Sequence, residues 1–374
     1  MLDSSQTSES LMAEFETYFR EVRSLLHGEP NEHNFKKLCK LLENALKDER
    51  ERAVSELVPY AEGMMRLWPH RLRRMPPAWL NYIEKRAPLH VSALQPLMRT
   101  ILISNRAISA RELSALLDSE FFKPIMRLEL QGLHQEWYSW TRSETEAKLG
   151  AILDNAHFSN LEELDFTRFI NSVGCYKILA ESDKMSGVRV LSLRRSFRYG
   201  LKQLASSEHL ANIQELDLSY IPCGSATDSD ALRSYIFEQT SKMVSIERLY
   251  LRDSNVNNDD LEALARSPFV KKLTHIDLRD NKHITTKGLR ALLRACGPQQ
   301  LRSLELSNTR IGGGGLKLLA TSHALTDLKL LRIYNVGETE AGVRAMANSE
   351  TLPREFTEPF RAEGDEEEGD DEDA

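Results

Sequence analysis

The residues with the chemistry to grip a ligand in this 374-residue chain are acids, arginines and tyrosines that recur at fixed places in an apolar phrase. Between two large aliphatic residues of successive copies stand Leu102, Glu129, Asp165, Ser192, Asp217, Tyr250, Asp277, Glu305 and Lys329. Five of the nine are acids, and on stacked strands ~4.8 Å apart such carboxylates repel unless a cation sits between them. Arg168, Arg194, Arg195, Arg252, Arg279 and Arg332 follow within a few positions and can supply that cation. A mixed lattice of this kind either neutralises itself or recognises a protein of complementary charge, with Tyr220 and Tyr250 as aromatic anchors. The predicted contact set is therefore Arg168, Arg194, Arg195, Tyr220, Tyr250, Arg252, Asp277, Arg279 and Glu305.

Signals for catalysis are weak beside this. Gly312-Gly313-Gly314-Gly315-Leu316-Lys317 has the glycines of a phosphate loop, but no Gly-Lys-Ser/Thr follows, and its place in the phrase makes it a turn. The ten histidines form no HExxH or other ligand spacing. No GxSxG elbow occurs, and paired carboxylates arise only from the repetition. No catalytic residue, cofactor or metal is predicted, so the chain is expected not to be an enzyme.

The phrase itself positions these side chains. Large aliphatics occupy its first, fourth and sixth positions and about the eleventh, followed by a Leu-rich tail. Leu301, Leu304, Leu306 and Ile311 with Leu316 and Leu319 give the clearest copy, and Leu273, Ile276, Leu278 and Ile284 the next. Others begin at Met98, Ile125, Leu161, Val188, Ile213, Ile246 and Leu325. Alternation in the first half predicts a short strand, and the 3.6-residue spacing of the second half a helix. Neither half buries its apolar face alone, so about nine repeats are predicted to stack as a right-handed β-α superhelix with parallel strands on the concave face. Two long spacings predict loop inserts, over residues 132–158 with the aromatic run His134–Trp140, and over residues 222–242.

Over roughly residues 98–350 the chain resembles the ribonuclease-inhibitor-like class of leucine-rich repeat proteins, in which strand and true α-helix alternate. That resemblance implies an α/β leucine-rich repeat solenoid and is nearly silent on function. The family asks for Asn or Cys near position nine. Asn281 fills that slot, but Thr309, Ser254, Arg106 and Ser196 hold it elsewhere, which suggests a degenerate, bacterial-type array.

Residues 1–97 read as a separate helical segment, with apolar spacing on charged faces in Leu11–Phe19, Phe35–Leu46 and Ala53–Tyr60. It serves either as a cap on the exposed end of the solenoid or as a docking module. Within it, Arg66–Trp79 interleaves basic residues with Trp68 and Trp79. This pattern is open to phosphate contact with base stacking or to simple anchoring on the first repeat, and anchoring is favoured. The formal charge is −7, but nine of the acids lie between Glu363 and Asp373, so the remainder is close to neutral. Residues 351–374 are expected to be a disordered acidic tail. Four isolated cysteines suggest structural thiols in a reducing compartment. No secretory signal or membrane span is apparent, so a cytoplasmic location is expected.

The leading expectation is a monomeric, non-catalytic scaffold that binds a protein partner through the concave face and loop inserts, with neither membrane nor nucleic acid as partner. An alternative follows from likeness in outline: a solenoid with an acidic tail is similar to GTPase-activating proteins of the Ran system, although no activating motif matches residue by residue. A third is an adaptor resembling F-box leucine-rich repeat proteins, on Met75-Pro76-Pro77-Ala78-Trp79-Leu80 alone.

Overall fold

The computed structural model describes residues 4–84, 92–104, 110–131, 141–196, 199–221 and 235–365. The aromatic run His134–Trp140, most of the second insert, Arg106, Cys223 and residues 366–374 lie outside the described residues. The chain divides into two compact units, one of residues 1–131 and 150–164, the other of residues 132–149 and 165–374.

The first unit opens with helices α1 (Ser4–His27), α2 (Glu32–Asp48), α3 (Val58–Met64) and α4 (Pro77–Glu84). Asn31 starts α2 by accepting a hydrogen bond from the Asn34 amide at 2.8 Å, a side-chain cap for an otherwise orphaned donor. The apolar face of α2 then buries Phe35, Leu38, Leu42 and Ala45. Strands β1 (Thr100–Ser104) and β2 (Arg127–Gln131) pair in parallel, Ile101 opposite Leu128.

The Arg66–Trp79 stretch is what ties these helices to β1. Trp68 and Trp79 are buried, and Trp79 Nε1 donates to Glu43 at 2.5 Å. Arg74 makes a parallel bridge with Thr100, and the Met75 amide donates to the Thr100 carbonyl, so this segment satisfies the outer edge of β1. Arg73, only 3% exposed, donates to the carbonyls of Leu97, Pro96 and Met65. Burial, then the neighbouring Arg99 charge, push its pKa down to about 10 against the opposing pull of Glu62. The buried tryptophans and Arg73 anchor the stretch on β1, as the anchoring alternative expects. Met75, Trp79 and Leu80, on which the likeness to an F-box rests, are core residues of this unit.

The second unit repeats the strand–turn–helix phrase. β3 (Glu163–Asp165) falls at the boundary in the chain, and β4 (Val190–Ser192), β5 (Glu215–Asp217), β6 (Arg248–Tyr250), β7 (His275–Asp277), β8 (Ser303–Glu305) and β9 (Leu330–Arg332) follow. From β4 to β9 every pairing is parallel and follows chain order. The inward row Leu191, Leu216, Leu249, Ile276 and Leu304 is in register and buried, as strand alternation requires. Helices such as Asn258–Leu264 and Thr286–Ala295 return the chain, the first opened by a capping box between Asn257 and Asp260.

Two expectations are corrected. The last phrase is offset by three residues: Glu305 pairs with Arg332, so Arg332 rather than Lys329 continues the concave row. Leu325 ends a 3-10 turn and Leu328 begins the strand phrase. Both are fully buried, which is why the apolar pattern alone did not separate them. Residues 351–365, expected within the tail, fold as a 3-10 turn at Arg354–Phe356 and a helix at Glu358–Asp365, with Leu352 and Thr357 buried.

Candidate functional site

Each repeat of the second unit ends its strand in one turn, and that turn decides where the predicted contact residues stand. Arg168, Arg195, Tyr220, Asp253, Asp280, Asn308 and Asn335 occupy the same position, four residues beyond the central strand residue, and all have φ between 50 and 64°. The amides of the first six donate to the next repeat at 2.7–3.0 Å, for instance Arg195 to Ser219 and Tyr220 to Arg252, and so extend the ladder past the three-residue strands. Asp and Asn tolerate this left-handed conformation through their short polar side chains. Arg168, Arg195 and Tyr220 lack that relief, and each costs the fold about 1 kcal/mol relative to a relaxed backbone.

Tyr220 gathers three of the predicted arginines. Its ring lies 4.6 Å from the Arg195 guanidinium, 5.4 Å from that of Arg194 and 5.7 Å from that of Arg252. Arg252 also holds Asp280 at 2.6 Å, while Arg194 stands 3.5 Å from Asp217. Arg168 lies one rung away, its amide bonded to the Arg194 carbonyl.

Asp277, Arg279 and Glu305 form a second group that neutralises itself. Arg279 clamps Asp277 through Nε at 3.0 Å and a terminal nitrogen at 2.6 Å, and reaches Glu305 at 3.0 Å. Arg332 closes on Glu305 at 2.8 Å. Both carboxylates are almost wholly buried, 4% and 6% exposed, and Arg279 is held above its ordinary pKa first by its hydrogen bond to Asp277. These three residues hold adjacent strands together and offer a partner little.

Tyr250 stands on β6 between Asp217 and Asp277 in register. Burial, then the Glu215 charge, push its pKa up to about 12, so it is a neutral hydroxyl at any physiological pH. Burial likewise raises the pKa of Asp217 against the opposing pull of Ser219 and Arg194. A carboxyl whose folded pKa is raised contributes its stability at low pH and loses it as pH climbs through the folded value. Asp217→Asn is therefore expected to raise stability at pH 7 and to leave it unchanged near pH 3. Urea melts at the two pH values check this, and equal shifts at both would contradict it.

Asp280 and Tyr334 escaped sequence reasoning, whereas Arg332, expected as a cation beside the strand carboxylates, stands against Glu305. Asp280 binds Arg252 and Asn308, and burial alone would raise its pKa, but those hydrogen bonds hold it below the ordinary range. Tyr334, 69% exposed, stands in the strand-to-turn slot beside Asn335. A groove of about 590 Å³ beyond it is lined by Asp280, Lys282, Asn308, Arg310 and Gly337 among others. The signal that marks Asp280 is the turn position itself, two residues after the sixth-position aliphatic.

The glycine run has a packing role. Gly312 takes φ 62° and donates to the Val336 carbonyl at 2.8 Å. A Cβ on Gly313 would meet Thr339 Oγ1 at 1.9 Å, so the glycines let the helices Gly312–Ala320 and Glu340–Ala347 approach closely. Among the described residues no cluster of His, Cys, Asp or Glu is arranged to hold a metal, and no helix is long and apolar enough to cross a membrane.

Parallel strands in chain order, a one-residue left-handed turn and a returning helix define an α/β leucine-rich repeat solenoid. A family model described as leucine rich repeat matches residues 271–293 and 298–320 of this chain. No curated protein matches it. Among solved structures, it is similar to a chain from the crystal structure of the Rad7 and Elc1 complex in yeast. Identity there is 14%, the match covers 85% of this chain and 96% of that one, and the TM-score is 0.33.

Proposed function

We propose that this protein is a non-catalytic scaffold that binds a protein partner through the concave strands and exit turns of its second unit. The observation that carries the reading is Tyr220 with its three guanidiniums, which brings together an aromatic residue and arginines, the types enriched at interface hot spots, at a cost in backbone strain. A fold that needed only stability would use Asp or Asn there, as four other turns do.

The finer assignments belong to the same proposal. The array is of the ribonuclease-inhibitor-like, bacterial-type class, its solenoid spans residues 98–350, and the protein acts in the cytoplasm as a monomer. Residues 1–97 cap the solenoid, a role supported by the bridge from Arg74 to Thr100. The acids beyond Asp365 serve as a solubilising tail.

Affinity capture with the intact chain and with Tyr220→Ala/Tyr250→Ala, quantified by mass spectrometry, tests the scaffold reading. The double variant is expected to weaken capture by about 2 kcal/mol or more with its circular dichroism unchanged. A partner that binds the double variant as well as the parent, yet is lost when residues 1–97 are removed, would move the working surface to the helical segment.

A further inference from the structure

Three consecutive turns of the second unit give up the favourable Asp or Asn for Arg168, Arg195 and Tyr220, and arginines stand on neighbouring rungs there. The Arg194, Arg195 and Arg252 guanidiniums all lie within 6 Å of the Tyr220 ring. Backbone hydrogen bonds from the Arg168 amide to the Arg194 carbonyl and from the Tyr220 amide to the Arg252 carbonyl set these arginines, with Arg195, on neighbouring rungs. Arg252 is committed to Asp280 and Arg194 leans on Asp217. Arg168 and Arg195 make no ion pair among the described residues.

We propose that this arginine cradle around Tyr220 docks a phosphorylated serine or threonine side chain of the partner protein. The inference rests on the reading that this face binds a protein, and adds the chemistry of the group bound. With two of the four cations compensated, two remain, which a compact phosphoryl dianion matches and a single carboxylate does not. Ring contacts hold guanidiniums while leaving N–H edges free, and the planar fork of arginine fits two phosphoryl oxygens at once. Single-stranded nucleic acid calls for stacking platforms in series along a basic track, whereas here one ring is already ringed by guanidiniums.

The test uses the full chain and three fluorescent peptide libraries with fixed phosphoserine or phosphothreonine, unmodified serine or threonine, or glutamate at one position. The phosphorylated library is expected to bind at least about ten-fold more tightly than the other two by anisotropy. Arg168→Asn and Arg195→Asn should each weaken it by about ten-fold and at the same time raise the melting midpoint, because asparagine sits in this turn with less strain. A purely structural arginine would lower that midpoint instead. Equal binding of the glutamate library, full binding by Arg168→Asn/Arg195→Asn, or tighter binding of a single-stranded oligonucleotide overturns the proposal. If the phosphorylated library fails while Tyr220→Ala/Tyr250→Ala still releases a captured partner, phosphate recognition falls and the scaffold reading stands. If the phosphorylated library binds and the tyrosine variant captures its partner undiminished, the scaffold reading of the concave face falls instead.

Discussion

Ile276→Asp is expected to lower the thermal midpoint of the second unit by roughly 10 °C, the shift that several kcal/mol produces in a domain of this size. Ile276 is 1% exposed and sits in register between Leu249 and Leu304, both fully buried. A carboxylate there meets neither water nor a cation, and burying an unpaired charge costs several kcal/mol even after the surroundings relax. In a solenoid each repeat is covered only by its neighbours, so a defect on β7 weakens the interfaces with β6 and β8 together, and the central repeats unfold as a block. Ile276→Val keeps the apolar surface and should cost about 1 kcal/mol. Circular dichroism melts of the two variants beside the parent decide the matter. An aspartate variant that melts where the parent does would mean that Ile276 does not face the core, and the register of the whole array would have to be redrawn.

That register was largely legible because a short parallel strand leaves a strict signature. Leu216, Leu249, Ile276 and Leu304 alternate with polar neighbours, and a one-residue slip would expose every one of them, so the pattern admits a single pairing. Legibility failed where two solutions bury equal apolar area. Leu325 and Leu328 are both fully buried, one closing a 3-10 turn and the other opening the strand phrase, and only hydrogen bonding separates them. The exit turn was hidden for a different reason. Its left-handed residue is set by the ladder bond to the next repeat, and Arg168, Arg195 and Tyr220 carry none of the Gly or Asn preference by which such a position announces itself. Of the residues named from the sequence, Arg194, Arg195 and Arg252 converge on the Tyr220 ring. For Asp277, Arg279 and Glu305 the simpler alternative holds, since the lattice consumes its own charge.

The size of that internal compensation can be measured. Arg279→Leu should destabilise the protein by about 3–5 kcal/mol at neutral pH, the range seen when one partner of a buried ion pair is removed. Asp277 and Glu305 face each other on adjacent strands, both almost fully buried, and Arg279 makes ion pairs with both. Without it Glu305 keeps Arg332 at 2.8 Å, while Asp277 keeps the Arg279 backbone amide at 3.0 Å, which cannot offset a full charge. The two carboxylates then repel across one strand spacing. Protonation relieves that repulsion, so the deficit of Arg279→Leu should shrink steadily from pH 7 towards pH 4. Adding Asp277→Asn and Glu305→Gln to the leucine variant removes the charges themselves and should restore most of the loss, since neutral amides of the same shape need no counterion. Guanidinium melts of the single and triple variants across that pH range test both halves of the claim. A deficit that stays constant with pH, or that survives in the triple variant, would show that Arg279 supports the strands by packing its aliphatic stem rather than by holding two carboxylates in the sheet.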